Sequence, residues 1–289
     1  MQRVNTPAKL EEKAARLREI VAACPGLVVA YSGGVDSAFL AWTAHEVLGD
    51  RMRAVIADSA SLARMHLEDA LAFAREQHIP VEVVETRELE NPSYARNDAM
   101  RCFHCKDELF TVLERFRGER DFSAVAYGVN ADDEGDFRPG QQAAREHHVL
   151  APLLEARLTK MEIRELARQA GLRVWEKPAS ACLSSRIEYG RAVTPEALSV
   201  IERGEDALRG LGFRQFRVRH HGEIVRIEIA RDELGRALRE EMAREFTSIF
   251  KGLGFKFVTL DMEGFRSGSM NQLLSTEELV KGSRTFTTS

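Results

Sequence analysis

The chain has 289 residues, 44% of them hydrophobic, enough to bury a sizeable core in one large domain or two of ordinary size. A formal net charge of −4 gives no overall pull towards nucleic acid, and no apolar run is long enough to span a bilayer, so neither a nucleic-acid partner nor a membrane is expected. The N-terminus, MQRVNTPAKLEEKAARL, lacks the apolar middle and cleavage site of a secretory signal, which predicts a cytoplasmic protein. In that reducing compartment, Cys102 and Cys105 read as a metal, redox or catalytic pair rather than a disulfide.

Leu17, Ile20, Val21 and Cys24 recur at helical spacing and predict a helix over 10–24 with Cys24 on its buried stripe. The apolar strand LVVA (27–30) follows, then YSGGVDS (31–37), a helix to about residue 48, the strand RAVIA (53–57), a helix over 61–78 and the strand VEVVE (81–85). The alternation continues with a helix from about 103 to 116, the strand FSAVAYG (122–128), a helix after Pro139, and TKMEIRELARQAG (159–171), stopped by Gly171. This order predicts an α/β fold, a doubly wound parallel sheet with its ligand crevice at the strand ends. After about residue 190 the pattern changes. FRQFRVRHHGEIVRIEIA reads as two strands around the turn HHGE, with Phe216 and Val218 on one face and Arg217 and Arg219 on the other. A helix over 232–252 and the strand FKFVTLD (255–261) complete a small α+β domain. The expected boundaries are a first domain over 1–190 and a second over 191–289, with an unstructured tail, SRTFTTS.

YSGGVDS joins a buried strand to a helix, so its backbone N–H groups and the hydroxyls of Ser32 and Ser37 can cradle phosphate oxygens. It is neither a Walker loop nor a dinucleotide loop, and a plain Gly-Gly turn is the alternative. In YGVNADDEGDFRPG, Asn130, Asp132, Asp133 and Asp136 crowd a loop at the ligand edge of the sheet, with Arg138 available to an anion; a solvated acidic turn is the alternative. Arg217 and Arg219 suit a substrate phosphate or carboxylate, or else line an exposed strand face.

SGGVDS after a first strand resembles the pyrophosphate-binding loop of the AMP-forming ATP pyrophosphatase (PP-loop) superfamily. With NPSYARNDAMRCFHCK (91–106), YGVNADDEGDFRPG (127–140) and KPASACLSSRIEYG (177–190), the chain is similar to the LarE family, the ATP-dependent sulfur transferases of nickel-pincer cofactor biosynthesis. The resemblance implies a PP-loop domain that binds ATP and magnesium. It also implies a pyridinium biscarboxylic acid mononucleotide substrate, whose carboxylates are adenylated and then replaced by thiocarboxylates. Carried onto this sequence, it places Ser32, Gly33, Gly34, Asp36, Ser37, Asp58, Gly128 and Asn130 at the nucleotide, with Asp36 also at magnesium, and Ser185, Arg186, Arg217 and Arg219 at the substrate. Homo-oligomers, hexamers among them, are implied for the protein as a whole.

The same resemblance makes Cys182 the sulfur donor. In single-cysteine members the thiolate forms a thioester with the adenylated carboxylate and then gives up its sulfur, leaving dehydroalanine; Arg186 stands near in sequence to favour the ionised thiol. Cys102 and Cys105 depart from that pattern. Three thiols are one short of a closed site, and similar three-cysteine members imply a [4Fe–4S] cluster on Cys102, Cys105 and Cys182 whose open iron carries the transferred sulfide. A persulfide relay to Cys182, structural zinc with His104, and two unrelated surface thiols stay open. Outside this family, a tRNA thiolase with a Cys-x-x-Cys cluster and a non-catalytic nucleotide-binding protein are the competing readings.

Overall fold

The computed structural model describes residues 7–134, 139–178 and 180–266. Asp136, Arg138 and the SRTFTTS tail lie outside the described residues. The chain divides into two units, the first comprising Met1–Ser59, Arg64–Arg87 and Cys105–Ser180, the second Ala60–Ala63, Glu88–His104 and Ala181–Ser289. The stretches 60–63, 88–104 and 181–190, read from sequence as parts of a contiguous first domain, thus fall in the second unit.

The first unit is built on four parallel strands in the order β3-β2-β1-β4: β1 (Leu27–Ala30), β2 (Met52–Asp58), β3 (Val81–Glu85) and β4 (Ala124–Tyr127). A parallel central strand covered on both faces should be apolar throughout, and all four residues of β1 are buried. Taking Leu27, Val28 and Val29 from water contributes roughly 1.5–3 kcal/mol each. Helices α1 (Pro7–Ala22), α2 (Val35–Leu48) and α3 (Arg64–Glu76) alternate with the strands, and α6 (Pro139–Glu146), α7 (Pro152–Glu155) and α8 (Lys160–Gln169) follow β4. The helix predicted over 10–24 ends at Ala22; Cys24 lies beyond it, in the link that Pro25 enforces, yet is still buried. The helix predicted over 61–78 is confined to 64–76 because Ser61 and its neighbours form a turn that belongs to the second unit.

The second unit contains α4 (Pro92–Ala95), the start of α5 (Arg101–Glu119), α9 (Pro195–Gly210), α10 (Arg231–Ala237), α11 (Glu240–Gly252) and the sheet β5-β6-β7. Strands β5 (Phe216–His221) and β6 (Ile224–Ile229) form the predicted antiparallel hairpin, and β7 (Phe257–Leu260) runs parallel to β6. The sequence reading passed over α9, which is capped by Thr194 and led by Pro195. The helix predicted over 232–252 is two helices broken at Leu238 and Arg239.

Candidate active site

The first unit places the glycine loop between β1 and α2. Gly34 caps α2 without a side-chain hydrogen bond, leaving the N–H groups of the first turn for an anion at the positive end of the helix. Ser37 closes the loop from inside: its Oγ accepts from Ser32 N at 3.1 Å, donates to Gly34 O at 3.1 Å and meets Ser32 Oγ at 3.0 Å. Ser32 is the exposed hydroxyl. Gly33 holds φ +69°, and a Cβ there would lie 2.5 Å from Ala70 Cβ, so the turn and its packing both require glycine.

Asp36 faces the loop that follows β4. Its carboxylate pairs with Lys160, and its Oδ1 is buried with no hydrogen-bond partner among the described residues. Burial pushes the Asp36 carboxyl above its usual range and the charge of Asp133 adds to this, although Lys160 and Asn130 pull it down. Asn130 is buried and caps the turn Ala131–Asp133, accepting from Asp132 N at 2.9 Å. Gly128 packs directly against the first turn of α2, since a Cβ on it would stand 2.7 Å from Ser37 N. Asp58, at the end of β2, accepts from Arg64 Nη1 at 2.5 Å. Lys160, which sequence reasoning missed, is the first residue of α8; its backbone N–H is tied to Asp132 Oδ2 at 2.8 Å, which aims the side chain.

The second unit builds a site around Cys182. The carbonyl of Cys182 accepts from Ser185 N at 3.0 Å, Ser185 Oγ at 2.7 Å and Arg186 Nη1 at 2.8 Å, so the backbone is held while the half-buried thiol stays reachable. Beneath it Ser61, Tyr94 and Ser184 join their hydroxyls in a buried triangle with sides of 2.5, 2.7 and 2.7 Å. Asn97, at φ +58°, donates its amide to Glu188 O at 2.8 Å and Arg191 O at 3.0 Å. Two of the stretches quoted for the resemblance are therefore one structure, 91–101 clamping 182–191.

Arg186 is turned inward, 1% exposed, and paired with Glu205 at 2.9 Å. The cation beside the thiols is instead Arg101, a residue the sequence reading did not single out. It is buried, donates to Asn97 Oδ1 at 2.6 Å and Ser184 O at 2.9 Å, and lies over the Tyr189 ring. Burial acts to lower its guanidinium, but the negative charges that Cys182, Cys102, Tyr189 and Tyr94 can carry outweigh this and hold it above its ordinary range.

The two strand arginines do not form an exposed face. Arg219 is buried and donates to Glu228 Oε2 at 2.8 Å and Ser185 O at 3.2 Å. Arg217 is half-buried against Phe265; burial, then the charge of Arg186, lowers its guanidinium to about 10. Such a group gains from a bound anion. Cys102 is exposed and Cys105 half-buried, three residues apart on α5, where side chains share a helix face. Among the described residues no group of three or more His, Cys, Asp or Glu side chains is placed to hold a metal ion. Among the same residues no helix is long and apolar enough to cross a membrane.

A family model described as NAD synthase matches residues 10–107. An uncharacterized protein of Synechocystis is 41% identical over 266 residues, covering 92% of this chain and 99% of that one. The pyridinium-3,5-bisthiocarboxylic acid mononucleotide synthase of Lactiplantibacillus plantarum is 34% identical over 276 residues, 94% of this chain and 99% of that protein. A glutamine-hydrolyzing GMP synthase of Trichormus variabilis is 28% identical over 175 residues, which span 50% of this chain and 32% of the synthase.

Proposed function

The chain belongs to the LarE family of pyridinium-3,5-bisthiocarboxylic acid mononucleotide synthases, within the PP-loop superfamily, and we propose that it uses ATP to turn the carboxylates of pyridinium-3,5-biscarboxylic acid mononucleotide into thiocarboxylates. Two observations, each within its own unit, carry this reading: the first unit has an uncapped phosphate loop, and the second has a backbone-clamped, reachable Cys182. A substrate carboxylate oxygen attacks the α-phosphorus of ATP, the bond to the β-phosphate breaks, and pyrophosphate leaves. The acyl adenylate then has AMP as its leaving group.

The loop amides and the Ser32 hydroxyl take the pyrophosphate end. Magnesium fits Asp36, whose buried Oδ1 has no hydrogen-bond partner among the described residues and lies in the field of Asp133; Asp36 would hold the ion, which would supply positive charge against the departing pyrophosphate. Asp58, Gly128 and Asn130 line or shape the same crevice. Arg217 supplies the cation for the substrate's phosphate, with Ser185, Arg186 and Arg219 holding the surface around it.

Cys182 thiolate attacks the acyl carbon, the C–O bond to AMP breaks, and a thioester forms. Arg101 offers the counter-charge while sulfur is negative. Removal of the Cys182 Hα as a proton lets the Cβ–S bond break towards sulfur, releasing the thiocarboxylate and leaving dehydroalanine. These steps need a general base to take the Cys182 Hα but no oxidant or reductant. The [4Fe–4S] cluster on Cys102, Cys105 and Cys182 is the finer alternative, and about four iron and acid-labile sulfide per chain after anaerobic preparation would favour it. A homo-oligomer is expected in solution, and light scattering measures it. The test of the reaction is pyrophosphate release from ATP on adding the dicarboxylate mononucleotide; release stimulated by tRNA instead would favour the thiolase reading.

A further inference from the structure

Two lysines flank the nucleotide loop, and each is paired with a carboxylate: Lys160 with Asp36, and Lys177 with Asp69. The two pairs differ. Among the described residues Lys160 is the one cation paired with Asp36, whose carboxyl burial already disfavours as an anion. Asp69 has a second cation: Arg173 donates from Nη1 to Asp69 Oδ1 at 2.8 Å and from Nε to Glu76 at 2.8 Å. Burial acts to raise the Asp69 carboxyl, but the hydrogen bonds and charges of Lys177 and Arg173 outweigh it and hold the group below its usual range.

Lys177 also stands at the loop itself. A Cβ built on Gly33 would lie 3.7 Å from Lys177 Nζ, and Gly33 has no side chain to stand between that ammonium and the loop backbone. The Lys177 side chain is 18% exposed, so its head is confined next to the place where the phosphate oxygens are to sit. An ammonium on a four-carbon stem can rotate its donors from a carboxylate to a phosphate and keep a charge-assisted contact throughout.

We infer that Lys177 is a ligand of the polyphosphate end of ATP, parked on Asp69 until the nucleotide arrives, and that Arg173 keeps Asp69 compensated when Lys177 turns away. Lys160 cannot leave in the same way, because a buried Asp36 would then be uncompensated until a metal ion replaced it. The inference rests on the nucleotide reading of the loop given above.

The experiment measures equilibrium binding of ATP with magnesium, of inorganic pyrophosphate and of AMP to the full chain, in the wild type and in Lys177→Gln, Lys177→Arg and Asp69→Asn. Lys177→Gln is expected to weaken ATP and pyrophosphate about 10- to 100-fold and AMP less than about twofold, with Lys177→Arg recovering most of the loss. Asp69→Asn is expected to leave ATP binding unchanged or tighter, because it frees the ammonium. The inference is overturned if Lys177→Gln binds ATP like the wild type, or if Lys177→Gln and Asp69→Asn weaken it alike, which marks the pair as a structural strut. Should Lys177→Gln fail to fold, Asp69→Asn decides alone: tenfold weaker ATP binding, or more, refutes the exchange. A wild-type chain that binds no ATP refutes the nucleotide reading instead.

Discussion

Replacing Gly128 by alanine tests how the nucleotide crevice is built. The new Cβ would stand 2.7 Å from Ser37 N, 2.9 Å from Ser37 Cα and 3.0 Å from Asp36 C, all backbone atoms of the first turn of α2. The shortest of these is about 0.7 Å inside ordinary contact, and backbone on both sides leaves no flexible group to yield. Overpacking of this kind costs about 1–3 kcal/mol, and a shift approaching 1 Å in a phosphate-binding helix end can cost on the order of 100-fold in rate. Gly34→Ala is the control: its Cβ would meet nothing nearer than Ser32 Oγ at 3.6 Å, its φ is −76°, and it keeps its N–H. Denaturant unfolding reports the stability and pyrophosphate release reports KM for ATP. Gly128→Ala should lose on both measures, while Gly34→Ala stays within about 1 kcal/mol of the wild type. A Gly128→Ala protein matching the wild type in midpoint and KM would refute the claim that this glycine sets the distance between the two segments.

Arg186→Met leaves Glu205 buried and uncompensated and should cost about 3–5 kcal/mol in denaturant unfolding, much of it recovered by adding Glu205→Leu. Arg101→Met should lower the rate of thioester formation with KM for ATP unchanged, and Arg101→Lys should restore part of that rate; rapid-quench kinetics separates the two constants. His147 is flanked by Asp107 at 2.9 Å and Glu114 at 3.2 Å. Burial acts to lower its imidazole, but these two carboxylates raise it overall. Its contribution to stability is therefore complete below the ordinary histidine range and lost as pH rises through the raised folded value. Unfolding midpoints measured across that window should fall in the wild type and fall less in His147→Gln.

The parts of this fold that local chemistry specifies were legible in the sequence. The buried strand LVVA, the Gly-Gly turn before α2, the alternation of strands with helices and the hairpin across HHGE depend on neighbours within a few residues. The Cys182 site depends on neighbours far along the chain. Nothing local in NPSYARND announces that Asn97 takes a left-handed backbone and clamps Glu188 and Arg191, or that Tyr94 meets Ser61 and Ser184. For the same reason the sequence offers Arg186 as the cation for the thiol and gives no sign of Arg101; Glu205, nineteen residues on, helps to turn Arg186 inward. The alternation in β5 put Arg217 and Arg219 on one face correctly, but a charged strand face reads as solvated. Here it is covered, and Glu228, directly opposite Arg217 on β6 and paired with Arg219, makes that burial tolerable.

The most direct test of the account is a single turnover under anaerobic conditions with ATP and the dicarboxylate mononucleotide, followed by mass spectrometry of the peptide containing Cys182. The expected result is pyrophosphate release, thiocarboxylate in step with protein, and a loss of roughly 34 Da at Cys182, the mass of H₂S, with no thiocarboxylate from Cys182→Ala. Thiocarboxylate formed with Cys182 intact, or formed by Cys182→Ala, would contradict it.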